Sequence, residues 1–455
     1  MPSIRNLLVN ALLIGGLSAP ILLAQAPPPA AVAFENVRIF NGTAGRLSGP
    51  SNVLIVGNVI KTISSTPIAD PPGTTVERIR GNGRTLMPGL IDNHWHTMLA
   101  RTTPAQGLEG DVGYNHFVAG AEAEATLMRG FTTVRDLGGP SFGLKRAIDE
   151  RLAVGPRIYP AGAIISITGG HGDFRSTSEV PRILGGPLSR MSQLNAAMIA
   201  DSPDEVRVRV REQLLLGAVH IKLTAGGGIA SPHNPLDVST FNEDELRAAV
   251  QAAKNWNTYV GVHAYMPTAI QRSIAAGVKV IEHGHLMDEA SAKLIAEKGI
   301  WLSFQPFTDD GFAPPLAPEN MLRLKEVWTG TDQTIAFAKK YKIKLAWGTD
   351  ILFSAAGATR QGMELTKMSK WYSPAEVLTM ATSTNAELLK LSGRRDPYPG
   401  KLGVVEEGAL ADLLLVDGDP LTNIKLLEDA SKNFVVIMKD GAVFKNVLKL
   451  PQEER

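Results

Sequence analysis

Two of the chain's nine histidines, His94 and His96, stand one residue apart at the end of the apolar run MPGLIDNHWH, residues 87–96. On an extended strand residues i and i+2 project to the same side, so both imidazoles can grip one ion. Further along, Lys222 lies in HIKLTAGGG, His263 in VGVHAY, His283 in VIEHG and Asp350 in AWGTD, each near the end of a short apolar run. Imidazole and carboxylate suit zinc or a similar divalent metal, and no cysteine is present to offer a thiolate. Taken singly these residues have ordinary readings, since a lone strand-end histidine such as His283 is more often a hydrogen-bonded core or loop residue than a ligand. Lys222 resists that reading. An unpaired ammonium in an apolar strand costs several kcal/mol or loses its proton.

The elements that would position these residues are legible as alternating texture. Between about 87 and 395, eight short apolar runs alternate with helical stretches such as NEDELRAAVQAAKNW and DEASAKLIAEKG. The runs are TLMPGLIDNHWH, GFTTVRDLG, RIYPAGAIIS, AVHIKLTAG, YVGVHAY, VKVIEHG, IWLSFQPF and KLAWGTD. Eight βα units over roughly 300 residues match a (β/α)₈ TIM barrel, whose chemistry sits where strands meet the loops that follow them. A doubly wound open sheet is the competing fold, but neither a G-x-G-x-x-G fingerprint nor a P-loop supports it. Residues 34–86 and 396–455 instead show β-branched runs broken by Asn-Gly and Pro-Gly signals, which reads as one β-sandwich assembled from both ends.

The whole pattern resembles the amidohydrolase superfamily. MPGLIDNHWH is similar to its first-strand H-x-H segment and IKLTAGGG to its strand-four lysine segment. VHAY and IEHG match its strand-five and strand-six histidines, GTD its strand-eight aspartate, and EEGALADLLLVDGDP the returning sandwich segment. The resemblance implies two divalent metal ions, expected to be zinc. His94, His96 and Asp350 would hold the more buried ion and His263 and His283 the second, bridged by N6-carboxylated Lys222 and a hydroxide. It further implies that Asp350 acts as general base and then general acid.

Within the superfamily the likeness is to the prolidase-like branch, which includes Xaa-Pro and Xaa-Arg dipeptidases and ochratoxin-hydrolysing amidohydrolases. The segments that carry it are SITGGHGDF, TAGGGIASPHNP and GVHAYMPTAIQRSIAAGVKVIEHG. It implies that His171 touches the substrate carbonyl or carboxylate. Tyr265, two residues after His263, is placed to donate to an oxyanion. His233 is a candidate for the pocket lining and Arg360 for a free carboxylate. The glycines of TAGGG are expected to allow close packing against substrate backbone. His116, His220 and His285 have no spacing argument and read as structural, and Arg135 and Asp136 read as braces at the end of strand two. The expected reaction is hydrolysis of an amide next to a free carboxylate, in a dipeptide or an N-acyl amino acid such as an ochratoxin-type amide. The alternatives are hydrolysis of a cyclic amide, lactone or imidazolone by the same centre, and a non-catalytic binding protein, which the filled ligand positions disfavour.

Composition bounds the partners. The formal net charge is +1 with no long like-charge run, so nucleic acid and membrane surfaces are not expected partners. A small-molecule substrate is expected, and members of this branch often form homo-oligomers. Residues 1–24 have the layout of a secretory signal peptide, followed by a Pro-Ala linker over 25–33, so the expectation is an exported, periplasmic or secreted protein free of disulfides.

Overall fold

The computed structural model describes residues 31–449 except 232 and 313–315. The expected leader and the first part of the linker lie outside the described residues. Eight segments form the barrel: Leu90–Trp95, Phe131–Asp136, Arg157–Pro160 continued by Ile164–Ser166, Ile221–Thr224, Val260–Ala264, Val280–His283, Trp301–Phe304 and Lys344–Trp347. These are the eight runs read from the sequence, in the same order, and neighbouring strands pair parallel. Strands four to seven are buried at every position, as a parallel sheet covered by helices on one side and filled by side chains on the other requires.

Strand three is broken. Arg157–Pro160 pairs with strand two, while Ile164–Ser166 lies beside strand four. The first segment ends at Pro160, which has no amide to donate, and Gly162 takes φ +76°, so the chain turns before pairing resumes. The ring closes between strands eight and one, where the Asp350 amide donates to the His94 carbonyl at 2.8 Å. Gly348 permits that approach, since a Cβ there would lie 2.4 Å from the His94 nitrogen.

The helices follow the strands and carry local start signals. Glu243–Asn255 opens with the Glu245 carboxylate accepting from the Asn242 amide at 2.7 Å, and it buries Leu246, Ala249 and Ala253 along one face. Asp288 caps Glu289–Glu297 by accepting from the Ser291 amide at 2.8 Å. Among the described residues no helix is long and apolar enough to cross a membrane.

The second unit is one eight-stranded, mostly antiparallel sheet drawn from both ends of the chain. The flanks meet where Thr85–Pro88 pairs antiparallel with Leu413–Val416. Its core mixes Phe34, Val37 and Ile55 with Leu415, Val436 and Met438. Thr85–Pro88 runs almost directly into Leu90–Trp95, so the sheet anchors the root of the strand that carries His94 and His96.

Candidate metal centre

The strand ends bring six of the expected residues to one cavity, lined among others by His94, His96, Lys222, His263, His283 and Asp350. His94 Nε2 lies 3.0 Å and His96 Nε2 3.1 Å from Asp350 Oδ1. One ligand atom from each of these three residues falls within 4.8 Å of the others. His283 stands beside this group, its ring 5.0 Å from that of His94 and its Nδ1 4.0 Å from Asp350 Oδ2. The His263 ring is 4.4 Å from that of His283. Two of these residues hold left-handed backbone angles, His283 at φ +78° and Asp350 at φ +56°. Such angles are uncommon outside glycine and concentrate at functional sites.

The donor set fits divalent cations. Burial holds His96, His263 and His283 below the ordinary histidine pKa, which keeps the rings neutral. His263 Nε2 sits 2.8 Å from the Gly227 carbonyl and His283 Nδ1 2.6 Å from Gln305 Oε1. Both oxygens only accept, so each ring donates there and its other nitrogen keeps a bare lone pair. Burial works against the Asp350 charge, yet the electrostatic pull of neighbouring His94, with His96 and His283 beside it, holds its carboxyl well below the usual range. Neutral imidazoles around a carboxylate that stays ionised are what a zinc-type ion takes.

Support for this set comes from residues the sequence reading passed over. Glu282, fully buried, places Oε2 3.1 Å from His94 Nδ1, while its Oε1 pairs with Arg135 at 2.9 Å. A carboxylate this close favours a proton on Nδ1, the tautomer that keeps the Nε2 lone pair for a cation. Gln305 faces both His94 and His283. Asp92 accepts from the amides of His94 and Thr349 and from Gln361, tying strand one to the loop after strand eight. Glu282→Gln keeps an acceptor for Arg135 but removes the charge behind His94. Metal affinity should fall about 10- to 100-fold, read by competition with a chromophoric chelator. Lower thermal stability with unchanged affinity would assign Glu282 to the Arg135 pair alone.

The other expected residues divide. His171 lines the cavity, its ring 4.2 Å from that of His263 and its Nδ1 2.7 Å from Ser231 Oγ, and burial pushes its pKa down to about 3. Tyr265 also lines it, packed against His263 and His283, and burial raises its phenol well above the ordinary value, so it stays a donor. His233 is exposed and outside the cavity lining. Arg360 is also outside the lining and is bonded to Asp310. The glycines of TAGGG pack against the chain itself: a Cβ on Gly227 would strike the Pro235 carbonyl and one on Gly228 the His171 ring. They make room for the following loop and for His171. His285 is held by the Gln305 carbonyl between Phe304 and Phe307, His220 is buried against Tyr259, and His116 is half-buried. Arg135 lies in the barrel interior, bonded to Tyr259 and to the Asn93 carbonyl, and Asp136 accepts from the Thr97 amide and Ser141.

The cavity measures about 460 Å³, and beyond the metal-type residues its walls are mainly apolar, with Leu108, Phe174, Phe307, Trp328 and Phe353 among them. Comparison with known proteins agrees with this geometry. The amidohydrolase family model matches residues 85–445. The ochratoxinase of Aspergillus niger is 31% identical over 381 residues, covering 79% of this chain and 75% of that protein. A solved prolidase complexed with N-methylphosphonate-L-proline is 32% identical with a TM-score of 0.84, covering 92% of this chain and 100% of the other. A solved Xaa-Pro dipeptidase with bound methionine is 28% identical with a TM-score of 0.78, over 92% of this chain and 100% of the other. With the family match running from the end of the first flank to the last sheet strand, and the ligand-type residues gathered at one barrel mouth, the chain belongs to the amidohydrolase family.

Proposed function

We propose that this metal-dependent amide hydrolase works with two zinc ions and cleaves an amide bond next to a free carboxylate, in dipeptides or N-acyl amino acids. His94, His96 and Asp350 would hold one ion and His263 and His283 the other, with carboxylated Lys222 between them. The ions would supply a nucleophilic hydroxide at neutral pH and polarise the carbonyl under attack. Asp350, ionised and within reach of both groups of histidines, receives the proton of the attacking oxygen on a carboxylate oxygen and returns it to the leaving amine. Tyr265, kept protonated by burial, donates to the oxyanion, and neutral His171 hydrogen-bonds the substrate carbonyl.

The observation that carries this reading is that both histidine groups, Lys222 and Asp350 line one cavity, with His94, His96 and Asp350 offering ligand atoms within 4.8 Å of one another. The ligands bound in two relatives, N-methylphosphonate-L-proline and methionine, each carry a carboxylate, which supports the substrate class. Zinc-reconstituted protein, prepared with and without bicarbonate, tests it against N-acyl amino acids, dipeptides, their carboxamides and lactones. About two equivalents of zinc per chain and turnover of the carboxylate-bearing amides are expected. One equivalent at full activity would overturn the binuclear centre, and turnover of lactones or cyclic amides alone would overturn the substrate class.

A further inference from the structure

Apart from imidazoles, the described lining of the cavity contains two cationic side chains, Lys222 and Lys367. Lys222 belongs to the metal-type group. Lys367 begins the 3₁₀ turn Lys367–Lys370 that follows the short helix Gln361–Thr366, on the wall formed after strand eight. Its Nζ lies 2.9 Å from Asp310 Oδ2 and 2.6 Å from Glu364 Oε2. Arg360 engages the same two carboxylates, bonded to Asp310 and 3.5 Å from Glu364, with its guanidinium over the Phe312 ring at 4.4 Å.

These four side chains make a charge-balanced square, but only three of them face the cavity. Lys367, Asp310 and Glu364 line it, and Arg360 does not. The division has a consequence for hydrogen bonding. An ammonium has three N–H donors, and Asp310 and Glu364 account for two. Arg360 offsets much of the negative charge on both carboxylates from behind, which lowers the repulsion an incoming anion would meet from them. Lys367 therefore keeps a donor beyond these two, on a side chain that lines the same cavity as the metal-type residues, among walls that are otherwise mainly apolar.

We infer that Lys367 is the specificity-determining residue that binds the free carboxylate of the substrate, held in place by Asp310 and Glu364 with Arg360 as their second counter-ion. The inference rests on the substrate class given under Proposed function. It assigns the task expected of Arg360 to a neighbour seven residues on, whose charge the cavity actually receives.

The test uses N-benzoyl-L-phenylalanine and its carboxamide as charged and uncharged twins, with zinc-loaded native enzyme, Lys367→Met and Lys367→Arg. In the native enzyme kcat/KM should favour the acid. Lys367→Met should lower the acid-to-carboxamide ratio about 10- to 100-fold, mainly through KM for the acid, as loss of one charge-assisted hydrogen bond predicts. Lys367→Arg should recover most of that ratio, and bound zinc should be unchanged in both variants. The double variant Lys367→Met/Glu364→Gln rebalances the square; the ratio should stay low there if Lys367 contacts substrate. Return of the native ratio in the double variant, or an unaltered ratio in Lys367→Met, would overturn the assignment. Absence of any preference for the acid in the native enzyme would instead overturn the substrate class itself.

Discussion

Asp350→Asn is expected to give a folded protein whose kcat is lower by on the order of 10³-fold, measured with the best substrate of the panel at saturating concentration. The size of the effect follows from two tasks resting on one carboxylate. Asp350 Oδ1 receives both first-strand imidazoles, and its ionised form is the base that takes and returns the proton in the proposed reaction. Asparagine has the same shape but neither the charge nor the proton affinity. The fold should survive because what Asp350 contributes to barrel closure is its backbone amide, bonded to the His94 carbonyl. Its φ of +56° is an angle that asparagine adopts readily, which alanine does not. Circular dichroism and melting temperature should therefore stay near native while turnover collapses. A kcat within tenfold of native would mean that the proton is handled elsewhere.

The barrel was readable from the chain because each strand is a short apolar run and helices between them, such as Glu243–Asn255, bury one apolar face, so texture sets their order. Two features were not readable in that way. The break in strand three depends on Gly162 at φ +76° inside what reads as one continuous run, RIYPAGAIIS. The sheet also begins at Ala31, within the residues expected to form the linker, and its strand Thr85–Pro88 crosses the change-over expected at 86/87. Alanine and proline at those places carry little periodic signal, and long-range pairing with Val76–Arg80 and Leu413–Val416 decides the outcome.

At the site, the six metal-type residues were legible because a histidine or a lysine at the end of an apolar strand is chemically conspicuous. The residues that orient them were not. In VIEHG a strict two-residue alternation sends Glu282 and His283 to opposite faces. The left-handed angle at His283 breaks that alternation, and both side chains end up in contact with His94. The signal available was Glu282 itself, a carboxylate inside an apolar strand. Arg360 and Lys367 illustrate the converse limit. Both lie within one stretch after strand eight, and only the packing of Asp310 and Phe312 decides which of the two cations reaches the cavity.

Lys222→Ala should lose bound metal and with it activity, by on the order of 10³-fold, and short carboxylic acids added to the buffer should restore part of both. The reason lies in the sign of the charge at this position. Burial lowers the Lys222 pKa to about 8 against the opposing pull of Glu282 and Asp350. As an ammonium, Lys222 works against a cation site, since its charge further depresses His171, His263 and His283. In the proposed centre, addition of the neutral amine to carbon dioxide would form an N–C bond and release one proton, which would turn the position into an anion. The same three histidines would then face a group that attracts cations together with them. Alanine removes both states, so a diffusible carboxylate that fits the vacated space supplies the missing charge. Native protein loaded with zinc in bicarbonate-free buffer should show the same deficit and recover when bicarbonate is added. Full activity of the alanine variant without any added acid would remove the carbamate and leave the ions to be held by histidine and Asp350 alone.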